Sequence, residues 1–189
     1  MHLATIADTL MTLGMSNSLP SERLRLVVRG VALLNLSYFC VEFFVASRVG
    51  SVSLFADSVD FLEDALVNLL IYGALGWSAI YRARLGMVLA GLLLVPGIAT
   101  LWTAWAKFNV PMPPEPVALT LTGTGALAVN LFCAFLLVSH RHSGGSLTRA
   151  AFLSARNDAF ANLAIIGAGL VTAMLWHSAW PDLIVGLGC

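Results

Sequence analysis

The chain has 189 residues, 59% of them hydrophobic and 11% charged, and ten basic residues balance ten acidic ones. Soluble domains run nearer 45–50% apolar and about 25% charged, so a water-soluble globular protein is excluded, and the balanced charge offers no basic face to nucleic acid. At about 20 apolar residues per membrane crossing, five or six helices consume nearly the whole chain. No room remains for a soluble catalytic domain, so the protein is not expected to be an enzyme.

In chain order, residues 1–22 read as a cytoplasmic leader, because Met1 to Pro20 contain no Lys or Arg and therefore no basic region of a secretory signal. Met15, ahead of a polar Ser-Asn-Ser and a basic segment, is an alternative start that N-terminal mass spectrometry of the native protein would distinguish. Residues 23–189 then form one transmembrane domain, with apolar spans at about 26–47, 51–80, 85–106, 117–139 and 147–176 and a sixth at 181–189. Nine residues of helix rise only about 13 Å, less than half of a ~30 Å hydrocarbon core. The expected fold is thus an all-α polytopic bundle on a six-helix plan with a truncated sixth helix, and the sequence is read as a fragment with no C-terminal cytoplasmic domain. Cys40 and Cys133 fall inside apolar stretches and Cys189 is the last residue, so no disulfide framework is expected.

Turn chemistry marks the connections: Arg82-Ala83-Arg84 after span two, the four prolines between Lys107 and Pro116 after span three, and His140 through Gly145 after span four. With a cytoplasmic N-terminus, seven basic residues lie inside and only Arg48 and Lys107 outside, as the positive-inside rule requires. The expected location is the cell (inner) membrane, with lipid as the surroundings. Trp102, Trp105, Trp176 and Trp180 near span ends read equally well as interfacial anchors or as packing residues.

Six of the ten acids fall inside the first five apolar spans: Glu42 in the first, Asp57, Asp60, Glu63 and Asp64 in the second, and Asp158 in the fifth, with Arg156 the one base deep within a span. Uncompensated, that net charge costs roughly 12–18 kcal/mol on insertion scales, so protons, cations or water must offset it. Asp57, Asp60 and Asp64 share about a 60° sector of one helix face, with Asn68 a turn further on. Oxygen ligands converging from one helix, joined by others from a second, suit a divalent cation, and the same groups suit protons.

The second helix is suggested by a repeat: Asp64-Ala65-x-x-Asn68-Leu69 and Asp158-Ala159-x-x-Asn162-Leu163 share a pattern three spans apart, which inverts the copy. Inverted repeats that meet near the midplane are a common transporter plan. The offset places Ser154 opposite Asp60.

The stretch Gly50 to Ala65 resembles the second transmembrane helix of the cation diffusion facilitators, and Ser154 to Asn162 resembles their fifth. Asn35, Tyr38 and Glu42 upstream and Trp180-Pro181-Asp182-Leu183-Ile184 downstream extend the similarity over roughly residues 24–189. The resemblance implies a dimeric divalent-metal/proton antiporter with six helices, its metal held by Asp60 and Asp64 of helix two and by the pair at 154 and 158 of helix five. Ser154 stands where zinc-selective members carry His, which leaves the metal open among zinc, cobalt, cadmium, manganese and iron. Asn157 is a further candidate oxygen ligand, and an all-oxygen shell favours harder or octahedral ions.

Accessory candidates are Asp57, Glu42, His140 and His142; the two loop histidines read either as metal capture or as polar surface. Arg156, on the opposite helical face from Asp158, is expected to form a structural ion pair with Glu42. The expected function is export of a divalent transition-metal cation against protons, through Asp60, Asp64 and Asp158 with Ser154 or Asn157. The metal is cargo and no prosthetic group is implied. Expected partners are the metal ion, protons and a second copy of the chain. A non-transporting membrane scaffold and a proton-coupled carrier of a small organic cation are the alternatives.

Overall fold

The computed structural model describes residues 2–74, 79–138 and 145–188. Six helices follow in order: α1 (His2–Val49), α2 (Val52–Ala74), α3 (Ala79–Asn109), α4 (Pro116–Val138), α5 (Gly145–Met174) and α6 (Trp180–Gly188), and the described residues contain no strand. The all-α bundle is as expected. Segments Glu22–Val49, Pro116–Val138 and Arg149–Met174 are each long and apolar enough to cross a membrane. Helix α2 is 23 residues long, also a membrane-spanning length at 1.5 Å per residue, but carries Asp57, Asp60, Glu63 and Asp64.

Three boundaries differ from the sequence reading. The leader and the first span are one uninterrupted 48-residue helix. The sequence span read as 51–80 covers two helices: α2 is described to Ala74, and Ala79 and Ile80 already belong to α3. Arg82 and Arg84 lie within the opening turns of α3 rather than in a connection.

Local chemistry accounts for the sharpest turn. Gly50 adopts φ 62°, a left-handed conformation open to glycine, and the Ser51 amide then donates back to the Ala46 carbonyl at 3.2 Å. This closes α1 and reverses the chain within two residues. At the start of α4 the Glu115 carboxylate accepts from the Val117 and Ala118 amides, at 3.3 and 2.9 Å, and Pro116 occupies the first helical position, where no amide is required.

Helix α2 is the hub, touching α1, α3, α4, α5 and α6. Antiparallel packing of α1 on α2 brings Tyr38 against Phe61, with ring centroids 4.9 Å apart. Small residues let α4 and α5 approach closely: a Cβ added to Gly123 would meet Ile165 at 3.1 Å, and one added to Gly169 would meet Thr120 and the Pro116 carbonyl. Val28, Val31, Cys133, Leu137, Ala151 and Ala155 of α1, α4 and α5 form one apolar cluster. Leu54, Leu119 and Ile165 anchor a second toward the other end of the same helices. The acidic residues of α2 lie between these two layers.

Candidate metal site

The α1–α2 pairing places three polar side chains of α1 at successive levels on α2. Glu42 reaches Asp57, Tyr38 stacks on Phe61, and the Asn35 amide lies 3.5 Å from Asp64 Oδ2. Asn35, Glu42, Asp57 and Asp64 are all buried. Cys133 of α4 reaches Asn35 Oδ1 at 3.5 Å, which holds the Asn35 amide group toward Asp64. Tyr38 donates its hydroxyl to the Thr122 carbonyl of α4 at 2.6 Å, and Gly125 leaves the room this needs.

Helix α5 crosses α2 from the other side. The Ser154 hydroxyl is within hydrogen-bonding reach of the Asp64 carboxylate, and Asp158 lies in the electrostatic neighbourhood of Asp64 first and then of Asp60 and Asp57. Ser154 therefore meets Asp64, not Asp60 as the repeat offset suggested. The reason is direction: three crossings apart, α2 and α5 run antiparallel, so the residue one turn before Asp158 faces the later of the two α2 acids. Asp60, Asp158 and Ser154 are half-buried, whereas Asn157 and Glu63 are exposed. Asn157 thus stands apart from the group that Asp64 gathers. Among the described residues no three His, Cys, Asp or Glu side chains close to metal-ligating distance. His140 and His142 lie outside the described residues.

Asp60 also lines a cavity of about 420 Å³ between α2 and α3, whose remaining walls include Ala56, Val59, Leu93, Gly97, Ile98 and Thr100. Among the described residues, Asp60 is the one charged residue in the wall of this largely apolar groove.

The repeated motif has the same local structure in both copies. Asn68 donates its side-chain amide to the Asp64 carbonyl, and Asn162 donates to the Asp158 carbonyl, each at 2.8 Å. Both amide oxygens are buried without a hydrogen-bond partner among the described residues. Each Asn therefore ties its side chain to the turn that presents the preceding Asp.

Two expectations about charge are corrected. Arg156 is exposed, so it is not a base buried among the acids, and Glu42 faces Asp57 rather than Arg156. Among the described residues the buried base is Lys107, at the end of α3, and its partner is Asp182 of α6 at 2.6 Å. Asp182 does more than pair with it: Oδ2 also accepts from the Val52 amide at 2.8 Å, and Oδ1 accepts from the Ser53 amide at 3.1 Å and from both the Ser51 and Ser53 hydroxyls at 2.6 Å. With the Leu54 amide on Ser51 Oγ and the Phe55 amide on the Ser51 carbonyl, all four opening amides of α2 are satisfied. The sequence signal for this arrangement is a lone Lys in the last turn of one apolar span and an Asp in the first turn of another, at the same end of the bundle by counting crossings.

No curated protein sequence matches the chain. The family model for the cation efflux transmembrane domain matches residues 29–188, a segment that includes every acid of α2, Asp158 and Asp182. The carboxylates buried between membrane-length helices are consistent with the cation transport that this family performs. The chain belongs to the cation efflux family of integral membrane transporters.

Proposed function

We propose that the chain exports a divalent transition-metal ion in exchange for protons, using Asp60 and Asp64 of α2 with Asp158 and Ser154 of α5 as ligands. The observation that supports this reading is the antiparallel crossing that brings Ser154 of α5 within hydrogen-bonding reach of Asp64 and sets Asp158 in the electrostatic neighbourhood of Asp64 and Asp60. Three anionic oxygens and a neutral one suit a hard or borderline dication, and their cost in the membrane is offset when the ion binds or when protons replace it. Asn157, on the exposed face of α5, is left out of the shell.

Exchange follows from sharing. Ligand carboxylates must be deprotonated to hold the ion, so binding releases protons and protonation from the opposite side weakens the site. Alternating access presents the site to each side in turn, with an N-terminus on the cytoplasmic side by the distribution of basic residues. Asp60, which lines the α2–α3 groove, is the less enclosed of the two α2 ligands. The metal stays undivided among zinc, cobalt, cadmium, manganese and iron, and the working unit is a homodimer.

The test is purified protein in liposomes carrying a pH-sensitive dye inside. An imposed metal gradient drives proton movement in the opposite sense, for at least one of these five ions. Metal flux with no proton movement, or no metal flux for any of them, overturns the reading, and flux of an amine instead supports the organic-cation alternative.

A further inference from the structure

Glu42 and Asp57, accessory candidates by sequence, are a pair outside the four ligands proposed for the metal. Both side chains are fully buried. Their carboxylates lie within hydrogen-bonding reach of each other, and none of their four oxygens receives a hydrogen bond from a described residue. Ionised carboxylates only accept, so two of them in contact offer each other lone pairs and like charge, with neither water nor a donor to relieve either. A single proton removes both difficulties: one carboxyl donates O–H to the other carboxylate, which makes a short, charge-assisted bond.

The surroundings supply no other relief. On α1, the Tyr38 hydroxyl is committed to the Thr122 carbonyl, and Arg48 is exposed over the Phe44 ring. From α2 the nearest ionisable neighbour is Asp60, which lines the cavity toward α3, and from α5 it is Asp158; both are acids. Helix α4 carries no charged residue, and its Cys133 is engaged by Asn35. Lys107 of α3 and Asp182 of α6 are spent on each other. Among the described residues, no cation faces the pair.

We propose that Glu42 and Asp57 form a proton-binding site, separate from the metal ligands, that holds the proton given up when the metal ion arrives. The proposal rests on the antiport reading. Asp57 lies one helical turn from Asp60, toward the end of the bundle that carries Ser51 and Asp182. An ion bound at Asp60 and Asp64 brings two positive charges within a turn of the pair, and its field expels the shared proton to water. The O–H bond breaks, its electrons stay on the carboxylate oxygen, and no other bond changes. By linkage, a proton on the pair weakens the metal to the same degree. The pair thus couples the two ions across α2 without either touching the other's ligands.

The experiment uses the full chain in detergent with Co²⁺ alone as the probe. Calorimetric titrations in buffers of different ionisation enthalpy count the protons released per ion bound, and infrared spectra in H₂O and D₂O detect a protonated carboxyl. Glu42→Gln and Asp57→Asn retain Co²⁺ binding and release fewer protons than the unmodified chain, by about one per ion. One component of the carboxyl C=O absorption of the metal-free protein is lost in both variants, and the same component diminishes when Co²⁺ is added to the unmodified chain. Proton release equal to that of the unmodified chain in a folded variant overturns the proposal. So does a metal-free protein without such a band, a result that needs no variant to fold. If the unmodified chain binds no Co²⁺, the metal reading fails for this ion, and the infrared band and its loss in Glu42→Gln still judge the pair.

Discussion

Lys107 Nζ lies 2.6 Å from Asp182 Oδ2, and both side chains are buried where three helices meet at one end of the bundle. Val52, Ala104, Ala179 and Leu183 enclose this end, so neither charge reaches solvent. The carboxylate compensates Lys107 and serves as the cap of α2 from a helix more than a hundred residues away in the chain. Removing one member of a buried pair leaves the other uncompensated, which costs about 3–5 kcal/mol. Lys107→Met is therefore expected to lower stability by about 3 kcal/mol, and Asp182→Ala by more, because it also frees two amides and two hydroxyls of α2. Thermal unfolding in detergent ranks the two variants; stability unchanged in both refutes a stabilising role for the Lys107–Asp182 pair.

The same junction depends on a glycine. A Cβ on Gly186 would lie 2.6 Å from the Ser53 amide nitrogen and the Val52 carbonyl carbon, which are backbone atoms and cannot rotate away. Gly186→Ala must push α6 off α2 and is expected to cost about 1–3 kcal/mol, as overpacking does. Gly188→Ala is the internal control, since nothing lies within 4 Å of its added Cβ. Equal melting temperatures for the two variants would show that α6 does not pack on α2 at this distance.

At the proposed metal site, Asp64→Asn and Asp158→Asn each remove a formal charge from the ligand set with almost no change in volume. Metal-dependent proton flux in proteoliposomes is expected to disappear in both, with the assembly unchanged by size-exclusion chromatography. Glu63 is exposed, so Glu63→Gln is expected to keep most of the flux. A Glu63→Gln loss as severe as that of Asp64→Asn would place the active face of α2 on the wrong side.

Position 154 tests the proposed ligand chemistry. Its hydroxyl reaches Asp64, so Ser154→His puts an imidazole one turn before Asp158 and beside the same carboxylate. A neutral imidazole favours four-coordinate zinc, whereas manganese prefers oxygen and a larger shell. Competition between the two ions is expected to move toward zinc near neutral pH, where the ring is largely unprotonated. An unchanged zinc-to-manganese ratio in a folded, active variant removes Ser154 from the site.

Much of this protein is legible in the sequence. Long apolar runs must become helices in lipid, because every backbone amide and carbonyl has to be satisfied within its own segment, and that logic yields six elements from composition and length. The three- and four-residue spacing of Asp57, Asp60 and Asp64 follows from helix geometry, as does the likeness of Asn68 to Asn162, since each needs only its own turn. What the sequence could not decide is which polar groups meet across helices. Glu42 turns to Asp57 rather than to Arg156, Ser154 to Asp64 rather than to Asp60, and Asp182 to Lys107 and the α2 amides. Each of these depends on the direction and rotation of two packed helices. Hydrophobic periodicity carries little of that information in a chain whose outer surface is as apolar as its core, so burial does not reveal which face turns inward.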